Sequence, residues 1–350
     1  PLPEYGLMPP GVVADWNRFL YRFVFQAHYY AGLHDAAEAL AEIGNSSASA
    51  LLESASEFKS NILRAYRWSV ARTPAFELRT GCWSSSDPSA LYCFGPMGEV
   101  FPGEDGNRSW CYDVELGAHH LIPTGVIDPH STEAEAMINH LEDFQFFQSG
   151  MGEYPRERNE ADRFNLGGFA KVQPYYCRIA DVYALRDEVK PFIRSYFNAI
   201  PTLLSREILS FWEHFHNIAA WNKTHETGWF LSQTRTMFLM ERDNELWLAP
   251  FVTNNWLEDG MEVSIENAPT HFGPVDYRLI SSVNQGFIDA IIEPPKRNPP
   301  ESIVLRVSHP EGKSIKTVRV GDRDWKDFDR EKETIRLTPK KNTVHVRVEY

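Results

Sequence analysis

The sequence predicts a mainly α protein with a β C-terminal domain: an (α/α) toroid of helical hairpins, complete or not, followed by an antiparallel β-sandwich. Three observations predict it. Residues 11–240 carry apolar side chains at helical spacing in paired runs. After Met240 the text turns into short alternating segments separated by Gly, Pro, Asn and Asp. Three long connections, 72–109, 148–165 and 205–223, are rich in Trp, Gly, Pro and charge. Ordinary connections run ~4–6 residues, so loops this long are expected to carry function. The boundary falls near residue 242, giving a helical domain over 1–241 and a β domain over 242–350.

The elements follow in chain order. "RFVFQAHYYAGLHDAAEALAEIG" (22–44) is apolar at helical spacing and stops at Gly44. "NSSASALLESASEFKSNILRAYRWSV" (45–70) offers serine caps and then a long amphipathic run. Further helices are expected over 108–122, 132–148, 166–186, 188–204 and 224–240, the second behind the cap signal Ser131-Thr132-Glu133. Strands are expected at "ELWLAPFV", "MEVSIENA", "VDYRLISS", "GFIDAIIE", "SIVLRVS", "IKTVRVG", "TIRL" and "TVHVRVE". The stretch "IIEPPKRNPPES" reads as an edge or turn, because proline cannot serve a central ladder.

Composition narrows the function. A chain of 350 residues fits two domains better than one core. A net charge of −13 argues against nucleic acid and anionic membrane as partners. No apolar run approaches the ~20 residues that span a bilayer. The opening "PLPEYGLMPPG" lacks the basic and apolar regions of a signal peptide, so the compartment, cytoplasmic or secreted, stays open. That opening also reads as the middle of a domain. Cys82, Cys93, Cys111 and Cys177 lack C-x-x-C spacing, so free thiols are expected, with a Cys82–Cys93 bridge as the alternative. No metal or other cofactor is expected. Aromatic residues make up 13% of the chain, and a surplus in loops suits the C–H faces of sugar rings.

The densest chemistry lies in "LSFWEHFHN" (209–217) and "WNKTHETGWF" (221–230). Glycoside hydrolysis uses two carboxyl groups flanking the scissile bond, with aromatic walls to seat the sugar. "YGLMPPGVVADW", "GLHDAAEALAEIG", "ALLESASEFKSNI" and "ELWLAPFVTNNWLEDGMEVSIENAPTHFGPVDYRL" together resemble the six-hairpin (α/α)6 glycosidases of the α-L-rhamnosidase-like group. The resemblance implies a glycosidase, and "FWEHF" is similar to the element that carries the general base in that family. Glu213 is thereby the expected base. Trp212, His225, Glu226 and Trp229 are expected to contact substrate, as are Asp15 and Trp16 in "ADW", Trp110, and Glu160 in "RNEADRFNLGGF".

The acid is less determined. The family draws it from an earlier hairpin than any in this chain, which leaves Glu104 and Asp105 in "PGEDGNRSWCYDVE", or Asp15. Asp113 and Glu115 stand two residues apart, so only one is expected to face a pocket. The adjacent His119 and His120 point to different sides of a helix, which disfavours a shared ion, and one is expected to face the pocket. Fewer helices are legible than six hairpins need. An upstream domain or a second copy of the chain would then complete the ring. Two other classes remain: a uronate lyase using Tyr112, Tyr154, His119 or Asn107, and a non-catalytic sugar-binding chain.

Overall fold

The computed structural model describes residues 2–13, 16–78, 80–101, 111–145, 175–214 and 218–350. They form two compact units, Pro1–Phe230 and Leu231–Tyr350. Among the described residues no helix is long and apolar enough to cross a membrane.

In the first unit, strand β1 (Gly11–Val13) pairs antiparallel with β2 (Trp16–Arg22). Strand β2 runs straight into helix α1 (Phe23–Glu42), whose first N–H, from Phe23, is donated to the Ser89 carbonyl at 3.1 Å. Gly44, at φ +71°, ends the turn that leads to helix α2 (Ala48–Val70). The two helices bury Phe23, Ala27 and Tyr30 against Ala55, Ile62 and Tyr66, and the Phe23 and Tyr66 rings meet edge-on at 5.4 Å. A hairpin, β3 (Ala75–Glu77) with β4 (Trp83–Ser85), and strand β5 (Ala90–Leu91) follow. Strand β5 completes the order β1-β2-β5. Helix α3 (Met97–Val100), a π-turn (Cys111–Glu115), a 3-10 turn (Ala118–Leu121), helix α4 (Thr132–Asn139) and a second π-turn (His140–Gln145) come next. Ser131 caps α4 by accepting the Ala134 N–H at 3.2 Å. Helices α5 (Ile179–Leu185) and α6 (Val189–Leu203) pack together. A small sheet, β6 (Leu204–Ser205), β7 (Ser210–His214) and β8 (Ile218–Trp221), then leads into α7 (Thr224–Phe238).

This arrangement corrects the expected toroid. Among the described residues the long helices do not alternate as a ring of hairpins. They are separated by three small sheets and by helical pieces of four to eight residues. The helix expected over 108–122 is instead a π-turn and a 3-10 turn parted at Gly117, whose backbone is extended at φ −72°, ψ 172°. A Cβ there would lie 2.2 Å from the Asp113 carbonyl oxygen, so only glycine fits the break. The connections read as loops at 72–109 and 205–223 contain strand pairs of two to five residues, too short for alternation to register. The connection at 148–165 lies outside the described residues. Cys82, Cys93 and Cys177 are free thiols.

The second unit stacks two sheets over one core. One has the order β17 (Phe328–Asp329), β18 (Thr334–Leu337), β14 (Ser302–Arg306), β10 (Glu245–Leu248) and β9 (Leu239–Arg242). The other has the order β11 (Glu262–Ala268), β12 (Val275–Ser282), β13 (Phe287–Glu293), β19 (Val344–Glu349), β15 (Thr317–Val320) and β16 (Arg323–Trp325). Leu246, Leu248, Ile303, Leu305 and Ile335 from the first meet Tyr277, Leu279, Ile288, Ile292 and Val346 from the second. Each such side chain contributes ~1.5–3 kcal/mol on burial.

A purely antiparallel sandwich was expected, and β10 and β14 correct it: they run parallel, with Glu245 opposite Ser302 and Leu248 opposite Leu305. After β10 the chain leaves to build β11, β12 and β13 in the other sheet, then returns through the proline-rich stretch. A crossover of that length permits a parallel neighbour, which a tight hairpin cannot supply. Strand β14 is buried along its whole length, as a central strand covered on both faces should be.

Candidate functional site

The described residues of the first unit bring together an unusual number of buried ionisable groups. The first turn of α7 carries His225, Glu226 and, one turn on, Trp229. The segment Tyr175–Arg178 lies against it. Glu226 is fully buried and accepts the backbone N–H groups of Tyr175 at 3.2 Å and Tyr176 at 3.0 Å. Burial is the largest influence on its carboxyl and outweighs those two hydrogen bonds. The nearby Glu115 carboxylate pushes the same way, and the group titrates at about 8. At neutral pH Glu226 therefore keeps its proton. Arg178, at φ +57°, donates to Asp181 at 2.8 Å and lays its guanidinium over the Trp229 ring at 4.1 Å. The Tyr176 ring meets His225 edge-on at 5.2 Å.

A row of imidazoles abuts this cluster. His119 Nε2 lies 2.7 Å from the Cys177 carbonyl and His120 Nε2 lies 2.9 Å from the Glu115 carbonyl. A carbonyl oxygen only accepts, so both Nε2 atoms carry hydrogen. In the neutral ring His120 Nδ1 is then an acceptor, and His28 Nε2 at 3.3 Å is its donor. Burial keeps these rings neutral: it lowers His28 and His119 to about 4 and pushes His120 well below the ordinary imidazole value.

A second buried group surrounds Asp87. Its carboxylate accepts from the Tyr66 hydroxyl at 2.8 Å, and its own N–H is donated to His140 Nδ1 at 3.2 Å. Burial raises Asp87 to about 7, with Tyr66 opposing and Asp113 assisting. Asp113 accepts from the Ser89 hydroxyl and from the Met97 N–H at 2.9 Å.

No protein-family model matches the chain, and no curated protein matches it. Among solved structures the chain is similar to one described as a glycoside hydrolase, at 10% identity and a TM-score of 0.36. The match covers 93% of this chain and 64% of that one, so the chain spans less than two thirds of its length.

The expected site residues divide into three sets. Glu213 sits on β7, with its side chain 24% exposed and ion-paired with Lys223 at 2.9 Å, just ahead of α7. Trp212, beside it, stands opposite Trp221 in the β7–β8 ladder. His225, Glu226 and Trp229 share the start of α7 with Tyr176 and Arg178. Asp15, Glu104, Asp105, Trp110 and Glu160 lie outside the described residues, and of Trp16 only the backbone, opposite Val13, is described.

Asp113 and Glu115 are both buried in the π-turn. One expectation needs correction. His119 and His120 are both fully buried, so neither faces solvent. The sequence reading named His120 and Glu115 without assigning them together and overlooked His28, Tyr176 and Arg178. Only the adjacent histidines hinted at a cluster, and nothing in the spacing joins residue 28 to residue 120. Among the described residues no group of three or more His, Cys, Asp or Glu is placed to hold a metal.

Proposed function

We propose that the chain is a glycoside hydrolase whose general acid is Glu226 and whose base is Glu213. The observation that carries this reading is the protonated state of Glu226, at about 8, on the helix turn that also bears His225 and Trp229. A general acid must hold its proton at working pH and release it to the leaving oxygen in the transition state. Glu213 forms an ion pair with Lys223 at 2.9 Å. A pair of carboxyl groups, one serving as acid and one as base, is the arrangement this chemistry uses. The sequence resemblance of "FWEHF" supports the same assignment for Glu213. One face of the Trp229 ring is covered by the Arg178 guanidinium at 4.1 Å.

One observation favours a second reading. Both carboxyl oxygens of Glu226 accept backbone N–H groups, which is what a structural clamp on residues 175 and 176 would do. Turnover of aryl and alkyl glycosides by wild type, Glu226→Gln and Glu213→Gln separates the two. The acid role predicts a loss of ~10²-fold or more in Glu226→Gln, with activated aryl substrates losing less than alkyl ones. The clamp role predicts a lower unfolding temperature and losses that ignore the leaving group. Near wild-type turnover in Glu226→Gln, or release of unsaturated uronate instead of a free sugar, would sink the hydrolase assignment.

A further inference from the structure

We infer that the second unit carries a binding site for an acidic saccharide, a uronate-bearing chain, in a cleft of about 660 Å³ between the edges of its two sheets. Strand β16 is the last of one sheet and β17 the first of the other, and the chain crosses between them at residues 325–328. The cleft opens at that crossing.

Trp325 forms one wall. Its indole N–H is donated to the Arg336 carbonyl at 2.9 Å and its ring leans on the core, so the orientation of the half-buried ring is fixed. A fixed, half-open indole suits the apolar face of a pyranose ring. Around it stand four cations, Lys316, Arg319, Lys326 and Arg330, and three acids, Asp324, Asp329 and Glu349. Two of the acids are already engaged. Asp329 accepts the N–H groups of Glu331 at 2.9 Å and Lys332 at 3.0 Å, and Glu349 accepts the Thr317 hydroxyl at 2.5 Å.

The cations are less committed. Arg330 is positioned by donating to the Lys316 carbonyl at 3.2 Å and by lying over the Phe328 ring at 5.7 Å. The ammonium groups of Lys316 and Lys326 are exposed and form no ion pair among the described residues. With four cations against three acids, the lining carries one net positive charge beside an aromatic face, on a chain whose net charge is −13. A guanidinium can grip a carboxylate with two hydrogen bonds, and the lysines add point charges. A polyanion would otherwise be repelled by so acidic a protein, so binding requires a local site. This inference is independent of the reaction assigned to Glu226, because its test reads binding and not turnover.

The test is native-gel affinity electrophoresis of the full chain in gels containing polygalacturonate or neutral dextran. Polygalacturonate is expected to retard the wild type, and dextran to leave it unmoved. The double variant Lys316→Ala/Lys326→Ala should weaken retardation about tenfold, roughly the share expected of two charge-assisted contacts, and should keep the wild-type unfolding temperature because both side chains are exposed. Lys340→Ala/Lys341→Ala removes the same charge from exposed positions outside the cleft and should bind as wild type. No retardation by polygalacturonate, equal retardation by dextran, an unaffected cleft variant, or equal loss in the two variants would each overturn the proposal.

Discussion

Glu226, Asp87 and the buried histidines of the first unit pull its stability in opposite directions as pH changes. His28 and His119 titrate at about 4 and His140 at about 3 when folded, against ~6.5 in an unfolded chain. Below ~6.5 the unfolded chain binds protons that the folded one refuses, so stability falls as pH drops toward ~4. Asp87 at about 7 and Glu226 at about 8 act the other way. Above ~4 the folded state keeps protons that the unfolded chain has released, so stability falls as pH rises. Between ~4 and ~6.5 these three histidines outweigh the two carboxyl groups, and above ~6.5 only the carboxyl groups act. The unfolding temperature of the first unit should peak near pH ~6.5, with each group contributing up to ~1.4 kcal/mol per pH unit inside its window. Asp87→Asn combined with Glu226→Gln should flatten the limb above the peak and spare the acid limb. A melting profile that climbs through the neutral range toward pH ~8 would contradict these protonation states.

At the scale of elements, the break at Gly117 decides where the histidines and acids end up. It separates the π-turn holding Asp113 and Glu115 from the 3-10 turn holding His119 and His120. A methyl group there would meet the Asp113 carbonyl at 2.2 Å and His119 Nδ1 at 2.9 Å. Gly117→Ala should therefore cost ~1–3 kcal/mol or more in urea unfolding, through overpacking and displaced hydrogen bonds. Gly32→Ala, on the exposed face of α1 with nothing within 4 Å of the new carbon, should instead gain ~0.5–1 kcal/mol. A Gly117→Ala chain as stable as wild type would show that the two turns do not depend on this break.

At the scale of the molecule, the core of the second unit closes on itself. Its buried cluster runs from Leu239 to Tyr350 and takes inward residues from both sheets. A fragment of residues 231–350 should fold alone, with a strand-type circular dichroism spectrum and one cooperative urea transition. A broad, non-cooperative transition would mean that this core needs the rest of the chain.

The sequence by itself determined the local elements with strong periodicity. The runs at 22–44, 45–70, 188–204 and 224–240 correspond to α1, α2, α6 and α7, and the alternating segments after Met240 became strands. Periodicity reports which side of an element is apolar, and that is a property of neighbours in the chain. It also drew attention to Glu213, His225, Glu226 and Trp229 as a dense stretch. Tertiary structure decided everything that depends on distant partners. The parallel register of β10 with β14 follows from a crossover that returns from another sheet. The absence of a toroid among the described residues follows from two- to five-residue strands held by pairing and not by pattern. The protonation of Glu226 follows from burial, which outweighs the hydrogen bonds from Tyr175 and Tyr176, and from the charge of Glu115. A carboxyl group reads identically in sequence whether it faces water or a buried cluster, and only the fold sets its desolvation.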